Sequence, residues 1–190
     1  YQECGVPLWA NSQNGMLSPD HLPVFFVSMP YALTLGYMIR LLIAFWGMCL
    51  FLRFFLKNRL LAFIGGVVFA LYGYMTVWNA HPHASTVMWA GWLAWLILRL
   101  GRKPTWRRMP PLVFVSSLMY HGGHIETAFH MVLIMSLFAF GVGFRSFYRQ
   151  RDQLRKFLWI YVSAGLLSFL LSAFFFFPFM EYLSHSWALI

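Results

Sequence analysis

In the stretch YHGGHIETAFH, Tyr120 to His130, the residues able to do chemistry are His121, His124, Glu126 and His130. If the chain after Gly122 and Gly123 is helical, Glu126 and His130 are four apart and share a face, while His121 and His124 flank the glycines. A carboxylate hydrogen-bonded to an imidazole can serve as a general base, or fix the tautomer of a metal-ligating histidine. The plain alternative is that Glu126 pairs with His130 or with water. NAHPHAS adds His81 and His83. HPHAS and HGGH together could offer four imidazoles to one Zn²⁺, although neither spacing is a recognised zinc pattern. A hard cation, Mg²⁺ or Mn²⁺, held by carboxylates such as Asp20, Glu126 or Glu181, fits a phosphate-bearing substrate somewhat better. Arg40 is the one cation isolated inside an apolar run. It can snorkel outward, pair with a carboxylate, or contact the phosphate of a lipid-linked substrate, for which a guanidinium fork is well suited.

The elements that must hold these groups follow from composition. The chain has 190 residues, 61% hydrophobic and 10% charged, with 21% aromatic. That balance lies outside soluble globular domains, and the apolar runs approach or exceed the roughly 20 residues a helix needs to cross a bilayer. The alternating pattern of outer-membrane strands is absent, so an all-α, polytopic transmembrane helix bundle is expected. The net charge of +9 does not point to nucleic acid, because thirteen of the fourteen Lys and Arg residues fall in three clusters at 53–59, 99–108 and 145–156, each between apolar runs. That is the pattern of cytoplasmic loops.

Spans are predicted over Tyr31–Leu52, Leu60–Trp78, Ser85–Leu100 and Phe157–Phe177, with Pro178 closing the last. Because the second and third basic clusters must lie on one side, the chain between them has to cross an even number of times. A short broken hairpin at 109–144 satisfies this: an outward arm to about His121, a break at Gly122 and Gly123, and a return helix. The expectation is about six membrane segments in 31–190, preceded by an extracytoplasmic loop with an interfacial helix at 1–30. The N-terminal segment, 79–85, 120–126 and 178–190 then lie outside, and all seven histidines share that side. The Trp and Tyr residues near the outer ends read as an aromatic belt, with one or two free to stack on a sugar. The chain reads as an excerpt from a longer protein, and Cys4 and Cys49 suggest no disulfide framework.

Several short motifs resemble one family, the bacterial YfhO-like membrane proteins, related to the GT-C type of polytopic glycosyltransferases. GVPLWANSQNGMLSP is similar to that family's first outer loop through Gly5, Pro7, Leu8, Ala10, Asn11, Gln13 and Pro19. GGHIETAFH resembles its Gly-His-Pro-Gln-Thr-Ala element, with Ile125 and Glu126 replacing the Pro-Gln pair. PFMEYLSHS is similar to its Pro-x-x-Glu-Tyr-Leu ending, at Pro178, Glu181, Tyr182 and Leu183.

The resemblance implies transfer of a sugar from a polyprenyl-phosphate carrier to an extracytoplasmic acceptor, in a fragment lacking the upstream catalytic carboxylate. On this reading Glu126 and His124 carry the proton chemistry, and Arg40, Asn11, Gln13, Glu181 and Tyr182 line the substrate cavity. The expected partners are the bilayer and the lipid-linked sugar. Two rivals belong to other classes. One is a membrane transporter or ion/proton-relay bundle, in which the broken hairpin is a gate. The other is a non-catalytic membrane scaffold.

Overall fold

A computed structural model describes residues 11, 13–15 and 17–184, and among these every regular element is helical. Four elements are long and apolar enough to cross a membrane: α1 (Met29–Leu52), the pair α4 (Pro82–Val87) and α5 (Ala90–Arg102) read as one 21-residue helix, α7 (Ile125–Phe147) and α8 (Arg151–Leu171). The expectation of about six segments also counts two shorter pieces, α2 (Arg59–Leu71) and α6 (Met109–Tyr120). At 13 and 12 residues these reach only about 20 Å.

The second predicted span is broken for a local reason. Tyr72 is extended, with ψ at 159°, and the chain restarts as the five-residue α3 (Gly73–Val77). Within that new helix Thr76 keeps its N–H on the Tyr72 carbonyl at 3.2 Å and donates its hydroxyl to the Gly73 carbonyl at 3.1 Å. The last span also differs from expectation. α8 stops at Leu171, and Pro178 lies inside a separate helix, α9 (Ala173–Ser184), rather than closing α8. The hairpin at 109–144 is present as α6, a turn at 121–124, and α7.

α4–α5 is the central element: 72% of its most apolar stretch is buried, against 22–28% for the other three. It packs on α1 through Gly47 and Gly91, where the two backbones leave no room for a Cβ. Such small-residue contacts let apolar helices associate without a hydrophobic driving force. Outward faces of the other long helices are strongly apolar, including Leu42 and Trp46 on α1, Leu137 and Phe140 on α7, and Trp159 and Leu166 on α8, all exposed. Faces of this kind suit lipid and are unfavourable in water.

The bundle has two chemically distinct ends. At one, the Arg102 guanidinium sits 3.7 Å from the centre of the Phe54 ring, Arg108 donates to the Arg99 carbonyl, and Gly101 abuts Val142 of α7. At the other, a 3₁₀ turn (Pro19–Phe25), the loop before α4 and the α6–α7 turn come together.

Candidate functional site

Three segments distant in sequence build the second end. Ser18 and Pro19 start the 3₁₀ turn, which lays Asp20 against α1 at Gly36, so that its carboxylate points into the bundle. Asp20 Oδ2 accepts from Arg40 Nε at 2.8 Å, Arg40 Nη2 at 2.5 Å and Ser85 Oγ at 2.7 Å. Ser18 Oγ donates to the other carboxylate oxygen, and Arg40 Nη1 donates to the Asn79 carbonyl. Both side chains are sealed from solvent, at 4% and 0% exposure for Arg40 and Asp20. Burial alone would raise the Asp20 carboxyl. The Arg40 charge, the Ser18 and Ser85 hydroxyls and His21 outweigh it and hold the group below its ordinary value of 3.8.

The α6–α7 turn is clamped between this N-terminal segment and α4. Gly15 and Gly123 have φ of +53° and +88°, a region that favours glycine. A Cβ on Gly122 would stand 2.7 Å from the Thr86 backbone nitrogen, and one on Gly123 would stand 2.6 Å from that of Gly15. The glycines flanked by His121 and His124 therefore serve backbone contact as well as reversal. His121 is buried here, its Nδ1–H donating to the Ser117 carbonyl at 2.6 Å and its ring stacking on Phe174.

The clamp brings HPHAS and the hairpin together. The rings of His83 and His124 have centres 3.6 Å apart, and His81 lies 6.3 Å from His83. Thr127, in the first turn of α7, lies between the pair: its Oγ1 is 3.1 Å from His83 Nδ1 and 2.9 Å from His124 Nδ1. His124 is also the N-cap of α7, accepting from the Thr127 backbone N–H at 3.2 Å. Burial and the neighbouring His83 ring push the His124 imidazole below its ordinary value of 6.5, with the Glu126 carboxylate opposing them. Glu126 itself is exposed beside this patch. His130, also exposed, donates through Nδ1 to the Glu126 backbone carbonyl at 2.8 Å rather than to its carboxylate. Beneath the turn, α5 to α8 leave a cavity of about 310 Å³, apolar apart from the hydroxyls of Ser116, Tyr120, Ser136, Tyr161 and Ser168.

Of the residues singled out by sequence, His124, Glu126 and His83 converge, while Arg40 is taken up by Asp20 and Asn79. Asn11 is half-buried and accepts the Gln13 backbone N–H at 3.0 Å through its side chain, and Gln13 is exposed. Glu181 is exposed and Tyr182 half-buried on α9, which packs on α8. Among the described residues no group of three or more His, Cys, Asp or Glu side chains is arranged to hold a metal ion. Glu3, Cys4, Gly5, Pro7, Leu8, Trp9, Ala10, His185 and Trp187 lie outside the described residues, as does the Leu183 side chain.

Sequence reasoning missed the roles of Thr127, Ser85 and Asn79. The small residues spaced around Arg40 on α1, Ala32, Gly36, Ala44 and Gly47, all buried, were the available sign that this face receives another segment. Comparison with known proteins adds no relative: no family model, curated protein or solved structure matches the chain.

Proposed function

We propose that the chain is the helical bundle of a membrane glycosyltransferase-like protein that transfers a sugar from a polyprenyl-phosphate carrier to a hydroxyl-bearing acceptor outside the membrane. The observation that carries this reading is the convergence of His83, His124 and Glu126 from distant segments into one partly open patch. An imidazole of the patch takes the acceptor's proton, and the Glu126 carboxylate offsets the charge that develops. The freed oxygen bonds to the sugar's anomeric carbon while the carrier phosphate leaves with the electron pair of the bond that breaks. The apolar cavity beneath the turn suits the carrier's hydrocarbon chain. Asp20 and Arg40 act indirectly, by holding the N-terminal segment against the clamp.

The test is transfer from a lipid-linked sugar by the full-length protein and its Glu126→Gln variant. A loss of roughly tenfold in rate is expected, the equivalent of about 1.4 kcal/mol of charge offset removed from the transition state. Full activity in the variant removes Glu126 from the chemistry. Absence of transfer in the unsubstituted protein overturns the reading and leaves the proton-relay transporter, whose mark is substrate-dependent proton movement.

A further inference from the structure

The hydrogen bonds around Thr127 fix which nitrogen of each imidazole carries the proton. A backbone N–H can only donate, so the 3.2 Å contact from the Thr127 N–H makes His124 Nδ1 an acceptor, without a proton. The Thr127 hydroxyl has one proton, and it donates to that same nitrogen as a second, shared bond, because at 2.9 Å an oxygen lone pair facing the bare nitrogen would be repelled. Only the lone pairs of Oγ1 then remain for His83, whose Nδ1 at 3.1 Å must be the donor. In their neutral forms the two rings therefore end as opposites: His124 keeps its proton on Nε2, and His83 leaves Nε2 bare. Imidazoles with centres 3.6 Å apart disfavour each other's protonation, which keeps the pair neutral.

Both Nδ1 atoms turn toward one oxygen, so both Nε2 edges face away from it, on rings whose centres are 3.6 Å apart. A donor beside an acceptor is the complement of a hydroxyl group, which accepts one hydrogen bond and donates another. We propose that His83, Thr127 and His124 form a tautomer-locked relay that receives the acceptor's hydroxyl, with His124 Nε2–H donating to its oxygen and His83 Nε2 taking its proton. The O–H electron pair stays on the acceptor oxygen, and His83 becomes an imidazolium with its Nδ1–H still on Thr127. Thr127 is a positioning residue in this scheme. His83, which sequence reasoning placed only in a zinc alternative, becomes the base.

The relay rests on the transfer reading for its use, but its tautomers can be read without turnover. Nitrogen NMR on the full-length protein in detergent, labelled with ¹⁵N-histidine at a pH of about 8, distinguishes protonated from bare ring nitrogens above the ordinary imidazole value of about 6.5. His83→Gln and His124→Gln assign the signals. The expected result is a protonated Nδ1 on His83 and a protonated Nε2 on His124. Thr127→Val should move His83 to the Nε2–H form and lower the transfer kcat more than KM, and Thr127→Ser should restore both. The same tautomer on both rings in the unsubstituted protein, or a His83 spectrum indifferent to Thr127→Val, overturns the relay. Expected tautomers in a protein that transfers no sugar leave the relay standing and refute only the transfer reading.

Discussion

Replacing Arg40 with Met is expected to lower the melting temperature of the full-length protein in detergent by on the order of 10 °C. The substitution leaves the Asp20 carboxylate buried without its counter-charge, and breaking one side of a buried pair costs about 3–5 kcal/mol. Ser18 and Ser85 still donate to Asp20, but hydroxyl dipoles do not replace a guanidinium bound through two nitrogens. The double variant Arg40→Met with Asp20→Asn should recover most of the loss, because no uncompensated charge remains. The pH dependence carries a definite sign. The folded Asp20 sits below 3.8, so the pair's contribution is complete above that value and is lost as pH falls through the depressed one. The gap between the unsubstituted protein and Arg40→Met should therefore narrow in acid. A melting temperature unchanged at neutral pH would show that Arg40 and Asp20 do not meet.

Gly123→Ala is expected to be nearly as costly, at about 2–6 kcal/mol. Holding alanine at a φ of +88° costs roughly 1–3 kcal/mol, and driving its Cβ against Gly15 costs about 1–3 kcal/mol more. The Cβ would also stand 3.2 Å from Pro82, so relief requires the N-terminal segment and α4 to part. That motion separates His83 from His124, and transfer should fall with stability. Gly141→Ala on α7 is the matched control, because a Cβ there meets nothing within 4 Å and alanine is the better helix former. It should be neutral or stabilising by up to about 1 kcal/mol. Equal effects of the two substitutions would refute the clamp.

The hairpin was legible because parity is a global constraint: two basic clusters on one side force a reversal between them, and the glycines mark where. The helix ends followed less well. Tyr72 and Gly73 interrupt an otherwise apolar run, and the extended backbone at Tyr72 is invisible to hydropathy. Pro178 was read as a terminator, whereas the chain had already turned at Ser172, whose N–H bonds back to Ser168 and Phe169. Asp20 illustrates the limit for the site. Its partner lies twenty residues away, and only the 3₁₀ turn at Pro19 directs it inward rather than to water. The histidine-rich motifs were recognisable by type, but the pairing of His83 with His124 depends on how Gly15, Gly122 and Thr86 interlock.

Side-specific thiol labelling on intact cells tests most directly whether the patch of His83, His124 and Glu126 faces outward. In the full-length protein with its native Cys4 and Cys49 replaced, single cysteines at Ala80, Glu126 and Lys57 are exposed positions at the two ends of the bundle. A membrane-impermeant reagent should modify Ala80→Cys and Glu126→Cys from outside, and Lys57→Cys only after the cells are opened. Labelling of Ala80→Cys and Glu126→Cys from opposite sides, or of both only in opened cells, would contradict a shared outer site.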